Sequence, residues 1–186
     1  QRSSGTNSWF VYHTSAGAGN WLALNLTNAS AADTTVWNNT APTSSVYSVG
    51  TNAAANQNGS TFVAYSFAAI TGYSAFGSYT GNGSATGPFV YTGFRPRYIM
   101  FKTTGTIAGY GDWYVVDTSR NRYNLASTML YPDTGTQEYT NNTAYAIDIL
   151  SNGFKLRTTN TTENASGGTY IFAAFAENPY KYSLAR

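Results

Sequence analysis

The chain has 186 residues with a formal net charge of +2, no cysteine, 10% charged side chains, 16% aromatic side chains and 16 tyrosines. The lack of cysteine excludes disulfides and thiolate metal sites, and a chain this poor in charge stays in water through Ser, Thr, Asn and Gly, which favour strands and turns over helices. Basic residues are scattered, and Arg95/Arg97 and Arg120/Arg122 are too small to form a polyanion footprint, so no nucleic-acid partner is expected. The longest apolar runs, such as 170–176, are strand-length against the roughly 20 residues of a membrane helix, so no membrane partner is expected either.

In chain order, the β-rich run 8–15 is followed by 21–26, whose alternation places Leu22, Leu24 and Leu26 on one face. A polar segment then holds one short strand candidate at 34–37, and strands are expected at 46–50 and 61–68. Gly81, Asn82 and Gly83 form a turn that calls for positive φ angles. Strands follow at 88–94 and 97–102, with Arg95-Pro96 breaking between them, then at 112–119, a hairpin over 146–157 turning at Ser151, Asn152 and Gly153, and a last strand at 169–176.

Two of these segments recur. The run 112–119 aligns with 8–15, Trp113 under Trp9, and 169–176 aligns with 61–68, at offsets of 104 and 108 residues. A repeat of roughly 100 residues suits tandem sandwich-sized units rather than a solenoid. The expected architecture is all-β: a β-sandwich, jelly-roll or lectin-like, in two related units. The first covers residues 1–75 and lacks its opening strands, and the second, 76–186, is complete. The chain begins at Gln1 without methionine, so its true start is expected upstream or processed away, and the first unit is expected to take its missing edge from elsewhere.

Little in the sequence signals chemistry. His13 is the sole histidine and has no nucleophile or carboxylate signalled nearby, which favours an ordinary strand residue. No two acids alternate on one strand as a glycosidase pair would, and no Asp-rich metal loop occurs. No catalytic residue, metal ligand or cofactor is therefore expected. Sugars are held by aromatic faces and neutral hydrogen-bonding side chains. Trp9 and Trp113 occupy matching repeat positions and read as core, whereas Trp21, Trp37 and Tyr110, which lies between Gly109 and Gly111, have no Trp partner in the other half and are the candidate glycan contacts. Asn-x-Ser/Thr triplets begin at Asn25, Asn28, Asn38, Asn58, Asn82, Asn141, Asn160 and Asn164, glycan acceptors in a secreted eukaryotic setting.

The stretches 77–84 (GSYTGNGS), 87–96 (GPFVYTGFRP), 150–157 (LSNGFKLR) and 174–179 (AFAENP), with 9–13 (WFVYH) and 40–47 (TAPTSSVY) in the first half, resemble a largely uncharacterised repeat domain. That domain is abundant in tail and other virion-associated proteins of marine bacteriophages. The resemblance covers nearly the whole chain and implies a non-enzymatic structural protein on a tail or capsid surface. Its implied partners are other virion subunits, in a homo-oligomer, and a host-surface glycan. An extracellular adhesin or filament subunit completed by a neighbour's strands is the second reading, and a polysaccharide-cleaving enzyme the third.

Overall fold

The computed structural model describes residues 7–106 and 111–179, and over them the chain is all-β. Three antiparallel sheets carry the fold. β1 (Phe10–Val11), β2 (Asn20–Ala23) and β3 (Ala31–Ala32) form a small sheet in that order. β4 (Ser74–Thr80), β6 (Pro96–Thr103), β7 (Tyr114–Asp117) and β10 (Thr169–Ala176) form a four-stranded sheet in the order β4-β10-β6-β7. β5 (Phe89–Tyr91), β8 (Ile147–Leu150) and β9 (Gly153–Leu156) form a three-stranded sheet in the order β5-β9-β8. Two single-turn α-helices, α1 (Ala53–Asn56) and α2 (Thr161–Asn164), and a 3-10 turn at Thr143–Tyr145 complete the described elements.

The last two sheets pack face to face as a sandwich. Tyr79, Ile99, Phe101, Tyr114, Val116, Tyr170 and Phe172 from one meet Val90, Ile147, Ile149, Phe154 and Leu156 from the other in one core. Alternation explains which residues enter it, since on β6 Ile99 and Phe101 turn inward while Met100 and Lys102 turn to the opposite face. β10 is central, paired on both sides and buried along most of its length, which accounts for its nearly unbroken apolar sequence. Phe154 holds the sheets together through edge-on contacts with Tyr79 at 6.1 Å and Phe172 at 5.6 Å.

The small sheet covers the outer face of the four-stranded one. Leu22, Val11 and Leu24 pack against Trp113, Ile171 and Met100. Trp113, buried as its repeat position suggested, donates its indole N–H to the Ala23 carbonyl at 2.8 Å. Trp9 is only half-buried and stacks on Tyr65 at 6.0 Å.

The turn after β4 has the expected chemistry at one of its glycines. Gly83 adopts φ +67, whereas Gly81 is required by space, because a side chain there would collide with the Ala165 carbonyl. Asn164, fully buried, ties this turn down by accepting from Asn82 N–H at 2.8 Å and donating to the Ser84 and Thr158 carbonyls. A glycan cannot be attached to Asn164 in the folded chain.

Three expected strands are not strands. Residues 34–39 form turns, held by Asp33 accepting from Thr35. Residues 46–50 run as irregular chain, anchored where Gly50 N–H donates to the Val36 carbonyl at 2.9 Å. Residues 63–69 pair with nothing as a strand, despite a sequence close to that of β10. The first two segments spend their backbone groups on local turns, and the third, bridged at Phe62 and Ile70, forms no ladder between those points among the described residues. β1 and β2 are also shorter than the runs 8–15 and 21–26, and Leu26 is exposed rather than aligned with Leu22 and Leu24.

Candidate functional site

Where β2 and β3 meet the loop after β6, the outer layer leaves a cleft of about 670 Å³. Among the described residues its wall holds one aromatic ring, Trp21, with small and polar groups around it: Thr27, Asn28, Ser30, Thr106 and Asp112. Trp21 is half-buried on β2, its ring 4.5 Å from that of Phe10 and tilted against it, and it lines the cleft.

The floor of this region is pinned by a buried cation. Lys102, on the outward face of β6, is fully buried, donates to the Leu26 carbonyl at 3.3 Å and to the Gly111 carbonyl, and lies 5.5 Å from the Trp113 ring centre. One ammonium thus joins the loop after β2 to the approach to β7. Burial pulls its pKa down to about 8, partly opposed by Asp133 and Asp112. Asp133 accepts from Trp113 N–H at 2.9 Å, while its other oxygen is buried without a partner, and burial raises its pKa. Gly111 is needed here because a side chain would strike the Thr27 carbonyl.

Of the three aromatic residues singled out from sequence, the two that are described, Trp21 and Trp37, do not share a platform. Trp21 lines the cleft. Trp37 lies in the 34–39 turn with its ring edge-on to Tyr12 at 6.1 Å and its indole N–H buried without a partner, and it is not among the cleft residues. Tyr110 lies outside the described residues, although its neighbour Gly111 lines the cleft.

His13 is a structural anchor rather than a strand residue. It is buried, donates from Nε2 to the Phe172 carbonyl at 3.0 Å and accepts at Nδ1 from Ser15 N–H at 3.2 Å, which sets the neutral tautomer. Burial lowers its pKa, with the Phe172 bond opposing. The ring ties the first segment to the central strand of the sandwich.

Every acid has a structural contact or a buried position. Glu177 pairs with Arg95 at 2.7 Å, Asp148 with Arg157 at 2.8 Å, and Glu138 and Asp117 both with Arg120. Asp33 caps its own turn, Asp133 holds Trp113, and Asp112 accepts from the Tyr114 hydroxyl at 3.3 Å. Glu163 is fully buried in α2 with both carboxylate oxygens unpartnered, and desolvation raises its pKa well above the ordinary range. Arg95 and Arg120 of the two small basic pairs are neutralised in these contacts. Among the described residues no three His, Asp or Glu side chains cluster to hold a metal ion, and no helix is long and apolar enough to cross a membrane.

Lys102, Asp133, Glu163 and Asn164 were not apparent from sequence as a group. Lys102 carried the one visible signal, a charged residue closing an apolar strand run.

No curated protein and no solved structure matches the chain. Residues 1–179 match the family described as a domain of unknown function, DUF7483. With that match spanning the small sheet, the sandwich and the cleft between them, the chain belongs to the DUF7483 family.

Proposed function

We propose that the chain is a non-enzymatic structural protein of a virion, a tail or capsid surface component that assembles with copies of itself or with other virion subunits. The carrying observation is its surface: Val46, Tyr47, Tyr65, Phe67, Ile70 and Tyr91 are all exposed, and among the described residues β4 and β5 each end a sheet without a neighbouring strand. Large exposed apolar side chains beside open sheet edges are the makings of an assembly interface. The engagement of the acids in structural contacts supports a non-enzymatic role. The virion setting rests on the resemblance of the motifs at 77–96 and 150–157. Purified virions analysed by mass spectrometry should contain the chain, and its absence there together with presence on a cell surface would favour an adhesin or filament subunit.

The Trp21 cleft favours a second property of the same protein, contact with a host glycan. It offers one ring for the C–H face of a sugar and several neutral hydroxyl and amide groups beside it. Binding on a glycan array should fall at least tenfold for Trp21→Ala and stay unchanged for Trp37→Ala, which lies outside the cleft. Equal binding by wild type and Trp21→Ala would sink the assignment.

A further inference from the structure

Among the described residues the sandwich is open along one side. β4 ends one sheet and β5 the other, and between these edges runs a cleft of about 450 Å³ lined by residues 75–80, 88–91 and Phe172. No residue from 7–70 lines it. The β4–β10 ladder decides which backbone groups face the opening. Gly81 N–H donates to the Gly168 carbonyl and Ala176 N–H to the Tyr73 carbonyl, both at 2.8 Å. Given the register Tyr79↔Tyr170 and Gly77↔Phe172, the odd-numbered residues of β4 bond to β10. The N–H and C=O of Phe76, Ser78 and Thr80 therefore point outward.

The chain carries a segment that complements this edge. Ile70 N–H donates to the Ser74 carbonyl at 3.1 Å in an isolated antiparallel bridge. That register, continued upstream, sets Ser66 opposite Ser78 and Ala64 opposite Thr80 at hydrogen-bonded positions. Tyr65 then falls opposite Tyr79 and Phe67 opposite Gly77, all on the face that points into the cleft. A strand laid on β4 in this way delivers two aromatic rings between the sheets. No residue in 61–68 or 75–91 is charged, so the pairing desolvates no ion.

The chain's own copy of this segment is turned away. Ser74 Oγ donates to the Ala68 carbonyl at 2.7 Å, taking the acceptor that Phe76 N–H would need. Beyond that point Phe67 leans on Phe175 at 5.8 Å and Tyr65 on Trp9 at 6.0 Å. Their side chains remain 67% and 73% exposed. Among the described residues no hydrogen bond engages the backbone of Ala64, Tyr65, Ser66 or Phe67. Among the described residues, one molecule thus holds an unfilled acceptor edge and, at 64–67, a donor segment that its own geometry keeps apart from it.

We propose that the β4 edge accepts residues 64–68 of a second copy of this chain, with Tyr65 and Phe67 filling the cleft. This rests on the reading of the protein as an assembling subunit and names the contact. Donor and acceptor are different surfaces, so the contact is head-to-tail and repeats into a ring or a filament.

The chain has no native cysteine, which makes disulfide trapping clean, and hydrogen-bonded antiparallel pairs hold Cα atoms about 5.5 Å apart, within disulfide reach. Ser66→Cys protein mixed with Ser78→Cys protein under mild oxidation should give a covalent dimer at least tenfold more abundant than either variant alone. Ser78→Pro, which removes only an outward N–H, should leave the circular dichroism spectrum unchanged and abolish the oligomers seen by light scattering. Two results overturn the strand exchange while leaving assembly intact: oligomers that form without the mixed cross-link, or oligomers unaffected by Ser78→Pro. Cross-linking confined to monomers of the Ser66→Cys/Ser78→Cys double variant overturns it in favour of closure by the chain's own segment. A protein that stays monomeric at every concentration removes both the exchange and the assembly reading beneath it.

Discussion

Glu163 should make the protein less stable as pH rises toward neutrality. Its side chain is fully buried, neither carboxylate oxygen has a hydrogen-bond partner, and desolvation holds its pKa well above the value of 4.5 for a free glutamate. The folded state therefore binds a proton that the unfolded chain releases. With more protons on the native side, the stabilising linkage is fully present below pH 4.5 and drains away as pH rises. The slope is about 1.4 kcal/mol per pH unit for one such group, so two units cost as much as about 2.7 kcal/mol while the folded carboxyl stays protonated. Glu163→Gln keeps the shape and removes the titration. Urea denaturation at pH 5, 6 and 7 should show the wild type losing stability relative to the variant, with that slope as the upper bound. Taking the difference cancels His13 and Asp133, which titrate in both proteins. Parallel profiles for the two proteins would refute the reasoning, because they would mean that Glu163 ionises in the fold as freely as in the unfolded chain.

Other outcomes follow from the same contacts. Lys102→Met leaves the Leu26 and Gly111 carbonyls without their donor and should cost about 1–3 kcal/mol, read as a lower calorimetric Tm at pH 7. Because Lys102 titrates at about 8 when folded and 10.5 when free, the unfolded chain binds more protons between those values. The wild type should gain stability across that window relative to Lys102→Met. His13, whose pKa is lowered from 6.5, has the same sign at a lower pH: its contribution is present above 6.5 and lost as pH falls. Limited proteolysis of residues 7–30 should accelerate in mild acid, and His13→Leu should abolish that pH dependence. Gly77→Val forces side-chain atoms toward the Phe172 ring, which already stands 2.9 Å from the Cβ position. It should destabilise the chain by about 1–3 kcal/mol in urea titration.

The sandwich could be read from sequence where pairing is local or burial is two-sided. The hairpin of β8 and β9 turns at the expected Ser151 and Asn152, and the apolar runs of β6 and β10 are strands because both of their faces meet protein. The same reasoning fails for residues 61–68. Their composition matches β10, but a strand also needs an edge, and edges are supplied by distant parts of the chain or by another molecule. The floor of the cleft was hidden for a related reason. Lys102 and Gly111 are nine residues apart, but Leu26 lies 76 positions from Lys102, and no local pattern announces that a lysine will spend its charge on carbonyls. Trp21 was identified by its lack of a repeat partner and does reach a cleft, while Trp37, chosen on the same ground, sits in a turn.

Phe172 occupies three places at once. Its ring lines the open cleft and packs on Phe154, the space it fills exists because residue 77 is glycine, and its carbonyl holds His13. A residue with such obligations has little freedom to drift in evolution. Across the DUF7483 family, positions 77 and 172 should therefore vary as a pair, a small residue on β4 accompanying a large ring on β10. His13, which grips only the backbone carbonyl of residue 172, should persist whether or not that ring shrinks, so the attachment of the outer layer is free to outlast changes in the core beneath it.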